Sequence, residues 1–144
     1  MMGHGQFVGR CHVLPLRVYY EDTDAAGIVY YANYLKFAER GRTEMLRSVG
    51  TDHRTLETTE GVLFAVRRCE ADYLKPALLD DELTVWTEVS SVSGARMKAE
   101  QIIRRDVDDL VRISVTLACI DRDGRPKRIP ERLRTIWGEL TTSG

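Results

Sequence analysis

The sequence predicts an α+β fold in which one long α-helix is wrapped by a curved antiparallel sheet of about five strands. Two observations support this prediction. Residues 33–49 carry apolar side chains at helical spacing, and the chain after Gly61 is dominated by segments that alternate between apolar and polar residues. One helix and about five strands can bury both apolar surfaces only if the sheet curves around the helix.

The composition favours a single domain over residues 1–144, because 43% of the residues are hydrophobic and 30% are charged. The formal net charge of −1 argues against a protein whose main partner is nucleic acid. No apolar run approaches the roughly 18–20 residues that cross a membrane, so no membrane insertion is expected. Residues 1–10 lack the features of a signal peptide and are predicted to be a loose tail.

The three cysteines, Cys11, Cys69 and Cys119, are widely spaced and include no CxxC pair. Two of them lie in apolar runs, where a buried thiol behaves as a small hydrophobic group. We therefore predict inert core cysteines rather than a nucleophile or a metal site, and we expect no metal or other cofactor. This cysteine usage fits a reduced cytoplasm best.

The first strand is predicted over residues 12–20, where Pro15 confines it to a sheet edge or to a start after the proline. Residues 21–29 predict a loop, because its polar residues Asp22, Thr23 and Asp24 favour turns and caps over helix interiors. Gly27 permits unusual backbone angles and lets a ligand approach the main chain.

The long helix is predicted over residues 33–49, with Asn33 as its N-cap and Gly50 as the C′ residue that ends it. Its continuous apolar face consists of Tyr34, Phe37, Ala38, Gly41, Met45 and Val49. A glycine inside a helix costs about 1 kcal/mol relative to alanine. We therefore expect Gly41 to lie in close contact with another element.

The second half of the chain predicts four long strands that pair as consecutive antiparallel hairpins. They cover residues 62–73, 83–90, 95–103 and 111–119, after a polar connection with a turn of helix near residues 54–57. Residues 121–126 predict a hairpin-type turn rather than a calcium loop, because the EF-hand spacing is absent. A short final helix is predicted to begin near Pro130 as its first helical position.

The acidic loop lies directly before the predicted helix. The unpaired backbone N–H groups of a helix N-terminus favour negative charge, so a carboxylate and an oxyanion-binding site would lie close together there. From spacing alone, a turn or capping role for Asp24 is the more common interpretation. A serine hydrolase is disfavoured because the chain contains no GxSxG motif.

The same stretch carries a resemblance to a known family. Residues 17–30, RVYYEDTDAAGIVY, followed by Asn33-Tyr34 and by residues 39–46, closely resemble the hotdog-fold acyl-CoA thioesterases. The nearest branches are the YbgC type, associated with the Tol–Pal cell-envelope system, and the 4-hydroxybenzoyl-CoA thioesterases. The likeness continues less sharply through residues 73–81 to Pro130 and covers nearly the whole chain.

This resemblance implies a hotdog fold and hydrolysis of the thioester of acyl-CoA without a cofactor. It also implies a homo-oligomer, either a dimer or a tetramer, with active sites at the subunit interfaces, and a link to the Tol–Pal system. Asp24 is implied as the catalytic carboxylate, and the backbone N–H of Tyr31 as the group that contacts the thioester carbonyl. Gly27 and Ile28, which lie between them, are candidate substrate contacts.

Tyr31 departs from many YbgC-type sequences, which carry histidine at this position, whereas the hydroxybenzoyl branch resembles this chain in having tyrosine. The backbone N–H donor is present with either residue, but tyrosine lacks the imidazole that could shuttle protons. Asp24 could activate water as a general base or attack the thioester directly. The alternatives to a thioesterase are a non-catalytic acyl-CoA-binding or envelope-complex protein and, with less support, a hotdog dehydratase.

Coenzyme A carries phosphates, so basic side chains are expected at the mouth of the pocket. Arg67 and Arg96 are the foremost candidates within a wider set chosen by residue type alone. The full set is Arg67, Arg68, Lys75, Arg96, Lys127 and Arg128. Asp22 and Glu21 are expected to be structural or solvated acids.

Overall fold

The computed structural model describes residues 5–141, in which six strands form one antiparallel sheet and three helices pack with it. The strands are β1 (Gln6–Val8), β2 (Cys11–Arg17), β3 (Leu63–Tyr73), β4 (Glu82–Ser93), β5 (Arg96–Arg105) and β6 (Asp108–Ile120). The helices are α1 (Asn33–Ser48), α2 (His53–Thr55) and α3 (Glu131–Leu140). A π-helical turn, Leu56–Glu60, continues α2.

Helix α1 lies against β2, β4 and β5, which are neighbours in the sheet. Its buried residues are Tyr34, Phe37, Ala38, Gly41, Met45 and Leu46. This face agrees with the predicted one except at its end, where Leu46 is buried and Val49 is only partly buried. The α+β prediction of a central helix covered by an antiparallel sheet is therefore confirmed.

The apolar core has two parts along α1. The part near the start of the helix packs Tyr34 and Phe37 against residues of β2, β4 and β6. The other part packs Met45 and Leu46 against β5 and β6 and is closed by Trp137 of α3. The core includes Val29 and Tyr34 on either side of the helix start, and the tip of the preceding loop, residues 24–27, is exposed.

Gly41 marks the closest approach of α1 to the sheet. A methyl group at this position would lie 2.7 Å from Cγ1 of Val85 and 3.0 Å from Oγ1 of Thr87. Real side chains essentially never pack so closely, so the expected close contact is present. This contact explains why glycine is tolerated in the middle of the helix.

We expect Gly41→Ala to lower the free energy of unfolding by about 1–2 kcal/mol, because the overpacking outweighs the gain in helix propensity. The matched control is Gly138→Ala in α3, where nothing lies within 4 Å of the new methyl group. That variant should be more stable by up to about 1 kcal/mol. Urea unfolding measures both changes, and equal stabilisation by the two alanines would contradict the packing argument.

One predicted strand pairing is wrong. β4, β5 and β6 form consecutive hairpins as expected, but β3 pairs with β6 rather than with β4. The connection after β3 explains the difference, because it is tied to the other side of the fold by bonds from Val18 N–H to Asp81 O and from Val29 N–H to Ala77 O, each 2.9 Å. β4 therefore adds to β2, and β3 becomes an edge strand.

The sheet has six strands rather than about five because the N-terminal segment adds one. Residues 6–8, predicted to belong to a loose tail, form β1 and pair with β2 across a turn in which Gly9 has φ +63°. Residues 1–4 of that tail lie outside the described residues. The short hairpin extends the edge of the sheet opposite β3.

Two helix caps also differ from the predictions. Asn33 is the first helical residue of α1, and the N-cap is Ala32, which makes no side-chain capping bond. Asn33 instead uses its amide to hold the preceding loop, as described below. Pro130 is the N-cap of α3 rather than its first helical residue, because its ψ of 139° is extended.

The cysteines are free thiols in different environments. Cys119 is buried, and desolvation raises the pKa of its thiol to about 11. Cys69 is exposed on β3, so the prediction of a core position is wrong for this residue.

Within residues 5–141 there is no cluster of three or more potential metal ligands. No helix in the same residues is long and apolar enough to span a bilayer.

Candidate active site

The acidic loop is a closed turn that leads directly into α1. The backbone N–H of Asp24 donates to Ile28 O (2.9 Å), and Tyr30 N–H donates to Asp22 O (3.0 Å), so the two sides of the loop run antiparallel. At its tip, Gly27 N–H donates to Asp24 O (3.0 Å), and Gly27 has φ +80°. A left-handed backbone of this kind favours glycine, which fixes the shape of the tip.

Asp24 presents one carboxylate oxygen to solvent. Its Oδ1 accepts a hydrogen bond from the backbone N–H of Ala26 at 2.8 Å, and the residue is exposed. Its Oδ2 has no hydrogen-bond partner among residues 5–141. The carboxylate is therefore oriented by the loop through one oxygen, while the other is accessible to a ligand.

Asp22 lies two residues away in a contrasting environment. Its side chain is buried, and Oδ2 accepts from Tyr19 N–H at 2.8 Å while Oδ1 accepts from Nδ2 of Asn33 at 2.9 Å. Both oxygens are occupied in holding the loop to the first turn of α1. This agrees with the structural role expected for Asp22, whereas Glu21 is exposed.

The two residues directly before α1 offer backbone N–H groups that have no partner among the described residues. The N–H groups of Asn33, Tyr34 and Leu35 bond to the carbonyls of the three residues preceding the helix. The N–H groups of Tyr31 and Ala32 have no partner within the described part of the chain. Such groups, together with the positive end of the helix dipole, favour a ligand atom that bears negative charge.

A buried tyrosine holds the surroundings of this loop in place. The hydroxyl of Tyr34 accepts a hydrogen bond from Ala77 N–H at 2.9 Å. Burial raises the pKa of Tyr34, so its phenol stays neutral at physiological pH. The connection that contains Ala77 also pairs with the loop through an isolated bridge between Ile28 and Leu78. The loop is thus fixed between α1 and the connection that follows β3.

The loop opens toward an aromatic surface at the end of β3. The Tyr31 ring, 61% exposed, meets Tyr73 edge-on at a centroid distance of 6.0 Å and Tyr30 at 4.9 Å. Tyr73 is the last residue of the edge strand. The two predicted substrate contacts in the loop differ in exposure: a methyl group at Gly27 would meet nothing within 4 Å, whereas Ile28 is partly buried.

The structure brings some of the predicted phosphate-binding residues together. Arg67, Arg68 and Arg96 line one shallow depression of about 850 Å³ with Lys98 and several hydroxyl side chains. It lies on the face of the sheet away from α1, because Met97, between Arg96 and Lys98, points into the core. A β-bulge in β3 at Arg67 alters the alternation there.

The remaining basic candidates lie elsewhere and have other contacts. Lys75 forms an ion pair with Asp108 at 3.3 Å, and Lys127 donates to Glu60 O at 3.3 Å. Arg128 is exposed and does not line the depression. Residue type alone could not separate these side chains from the clustered ones, because the clustering depends on the pairing of β3 with β6.

Residues 18–136 match the family described as the thioesterase-like superfamily. The chain belongs to this superfamily. Among its relatives, the acyl-CoA thioesterase YbgC of Haemophilus influenzae is 42% identical over 127 residues, which cover 88% of this chain and 93% of that protein. The acyl-CoA thioester hydrolase YbgC of Escherichia coli O157:H7 is 40% identical over 83% of this chain and 90% of its own.

Solved structures of thioesterase-like proteins have the same fold. A probable thioesterase from Bartonella henselae superposes with a TM-score of 0.81 at 41% identity, covering 83% of this chain and 99% of that one. A 4-hydroxybenzoyl-CoA thioesterase mutant complexed with 4-hydroxybenzoyl-CoA has a TM-score of 0.81 at 21% identity, covering 92% and 99%. The latter likeness concerns the fold alone. The hotdog-fold prediction is confirmed.

Sequence reasoning gave no role to Arg42, which follows Gly41 on α1. This partly buried residue donates from Nη1 to Oε1 of Gln101 at 3.0 Å. A signal for this contact was present in the sequence of β5, where Gln101 interrupts the apolar face formed by Ala99 and Ile103. A buried amide on a core-facing position requires polar partners, and α1 supplies them.

Proposed function

We propose that this chain hydrolyses acyl-CoA thioesters and that Asp24 is its catalytic carboxylate. One observation carries the assignment: Oδ2 of Asp24 and the N–H of Tyr31, neither of which has a partner among residues 5–141, belong to the same hydrogen-bonded segment that leads into α1. Thioester hydrolysis requires both a group that acts on the carbonyl carbon and a donor for the carbonyl oxygen. The relatives named as YbgC acyl-CoA thioesterases support the substrate class.

In the proposed mechanism, the thioester carbonyl oxygen accepts a hydrogen bond from Tyr31 N–H, and the acyl-CoA passes over Gly27 and Ile28. The helix N-terminus stabilises the negative charge that develops on this oxygen. The open space above Gly27 allows the substrate backbone to approach the main chain closely. The hydrogen bond from Ala26 N–H holds the Asp24 carboxylate in one orientation.

Asp24 can complete the reaction by two routes. As a general base, it takes a proton from water while the water oxygen attacks the carbonyl carbon; the C–S bond then breaks, and the CoA thiolate takes up a proton. As a nucleophile, its oxygen attacks the carbonyl carbon and expels CoA, and water then hydrolyses the mixed anhydride. A single turnover in ¹⁸O-water that places label in the Asp24 carboxylate would demonstrate the anhydride route, because water delivers its oxygen to Asp24 only by attacking that side of an anhydride.

The activity itself is tested by release of free thiol from a series of aliphatic and aromatic acyl-CoA esters. We expect hydrolysis of at least one class well above the rate without protein. Tight binding with negligible turnover across the whole series would instead favour the non-catalytic acyl-CoA-binding function. Hydration of an enoyl-CoA, in place of thiol release, would identify a dehydratase.

Arg67 and Arg96 are proposed to hold the phosphates of CoA in the depression on the outer face of the sheet. We expect Arg67→Gln combined with Arg96→Gln to raise KM by about tenfold with little change in kcat, because two exposed contacts of up to about 1 kcal/mol each are lost. The control is the pair Arg122→Gln and Arg125→Gln, two exposed arginines of the turn after β6. An equal rise in KM for both pairs would indicate a general charge effect.

We further propose that two copies of the chain associate through β3. This strand is 11 residues long, forms an edge of the sheet and is exposed along most of its length. Unpaired edges of this length attract a second strand. Light scattering is expected to give twice or four times the 16.4 kDa of one chain. A monomer that retains full activity would contradict both this association and a site at the interface.

The remaining expectations rest on chain length, on cysteine usage and, for one of them, on the family resemblance. A single hotdog domain and a cytoplasmic location are proposed, and the three free thiols fit a reducing compartment. A link to the Tol–Pal system remains a prediction. Co-purification with components of that system from cells would test it.

A further inference from the structure

We propose that Arg42 selects acyl groups that carry a carboxylate at the end remote from the thioester. The inference rests on the proposed thioesterase function and adds a substrate class to it. Its basis is a pocket of about 310 Å³ between α1, the first residues of β3 and α3. This volume lies at the lower end of the range for small-molecule pockets.

The pocket has an apolar body and one polar wall. The apolar lining includes Leu46, Phe64, Val66, Met97, Leu117 and Trp137. The polar wall is formed by α1 and α2 and contains Arg42, Thr43, His53 and Glu39. Burial lowers the pKa of His53, which favours its neutral form, and His53 Nε2 lies 3.1 Å from the Thr43 hydroxyl. Arg42 is thus the one cation on this wall near neutral pH.

The guanidinium of Arg42 is short of partners for its environment. Within residues 5–141 its hydrogen bond is the one to the neutral Oε1 of Gln101, and no carboxylate lies within 4.0 Å. Glu39 attracts it from a greater distance but is itself exposed. A guanidinium has five N–H donors, and a desolvated cation is costly unless it is paired. The unused donors therefore favour an anionic ligand.

A buried network fixes the direction of this group. Gln101, 1% exposed, donates from Nε2 to Ala38 O at 2.8 Å and to Thr87 Oγ1 at 2.9 Å. Because a backbone carbonyl can only accept, the amide cannot be flipped, and its Oε1 must face Arg42. The guanidinium is held in place before a ligand arrives, which lowers the entropy cost of binding.

The proposed association through β3 connects this pocket with the Asp24 loop. Helix α1 runs antiparallel to β3 in one chain: Tyr31 and Tyr34 contact Tyr73 at the end of the strand, whereas Arg42 shares its pocket with Phe64 near the start. If two β3 strands pair antiparallel, the end of one lies beside the start of the other. The Asp24 loop of a second copy then faces the Arg42 pocket.

The experiment compares two six-carbon substrates, hexanoyl-CoA and adipoyl-CoA, which differ only in a terminal methyl or carboxylate group. The wild-type protein is expected to prefer adipoyl-CoA. Arg42→Gln should lower kcat/KM for adipoyl-CoA by about tenfold or more and leave hexanoyl-CoA within about threefold, because a charge-assisted bidentate contact is lost. Arg42→Lys should restore part of the preference. The control is Arg40→Gln, an exposed arginine on the same helix.

Binding of non-hydrolysable thioether analogues of both substrates is measured by calorimetry in parallel. Arg42-dependent binding without turnover of either ester would overturn the proposed catalytic function. It would still support the Arg42 pocket as a binding site for the terminal carboxylate. Normal turnover of hexanoyl-CoA with no preference for adipoyl-CoA, in both wild type and Arg42→Gln, would overturn the proposed role of Arg42 in substrate selection. The proposed catalytic function would be unaffected. Equal losses for both substrates in Arg42→Gln would make Arg42 structural and also overturn the proposal.

Co-expression of the Asp24→Asn and Arg42→Gln chains tests whether one site draws on two copies. In a mixed dimer, one site then contains both intact residues and the other contains neither. Random association should restore about a quarter of the wild-type activity on adipoyl-CoA, since half of the dimers are mixed. Activity no greater than the mean of the two separate variants would overturn the cross-subunit arrangement.

Discussion

Asp24→Asn should fold like the wild-type protein and lose about 10²–10⁴-fold in kcat, the usual contribution of a positioned general base. The amide oxygen can still accept the hydrogen bond from Ala26 N–H, so the loop retains its shape. The amide cannot take a proton from water at neutral pH, and it is a poor nucleophile. Stopped assays of thiol release with a good ester substrate measure the loss.

The control for this variant is Glu21→Gln, an exposed acid three residues earlier. It removes the same charge from the same surface and should leave kcat within about twofold, because surface substitutions away from a site have small effects. Full activity of Asp24→Asn would remove Asp24 from the mechanism. An equal loss of kcat in both variants would indicate that the total negative charge of the loop is important, rather than the Asp24 carboxylate alone.

The central helix and the short-range turns were predictable because they depend on local sequence. The spacing of Tyr34, Phe37, Ala38, Gly41 and Met45 gave the buried face of α1, and the expected close approach at Gly41 is present. Each of these features follows from residues only a few positions apart. The same holds for the hairpins formed by β4, β5 and β6.

The position of β3 was not predictable in this way. Its alternation indicated a strand, but its partner depends on where the connection after Tyr73 is anchored. That anchoring involves Val18 and Val29, more than 40 positions earlier in the chain. The exposed edge, the clustering of Arg67 with Arg96 and the Arg42 pocket all depend on this placement. These parts of the site therefore required the structure.

The different environments of Asp22 and Asp24 could not be predicted from local sequence either. Spacing alone made a turn role the more common one for Asp24, and only the family resemblance reversed that preference. The structure adds a physical difference, since both oxygens of Asp22 are bonded within the protein whereas one oxygen of Asp24 has no partner among residues 5–141. This difference depends on Asn33, whose amide reaches back from α1 instead of capping it.

Tyr31→Pro provides the second large expected effect, because it removes the proposed oxyanion donor; it also removes the exposed ring that contacts Tyr30 and Tyr73. The N–H of Tyr31 makes no bond among the described residues, and proline is tolerated at the entrance of a helix. We expect kcat to fall by about 10²–10³-fold, as when one oxyanion donor is removed elsewhere. The helix content and the free energy of unfolding should change little.

Two matched variants separate the backbone donor from the side chain. Tyr31→Phe keeps the N–H and the aromatic contact with Tyr73 and should retain kcat within about threefold, since the proposed mechanism uses no phenol. Ala32→Pro removes the neighbouring N–H, which has no partner in the described part of the chain, and should cost clearly less kcat than Tyr31→Pro. If Tyr31→Phe lost as much activity as Tyr31→Pro, the hydroxyl would be the important group.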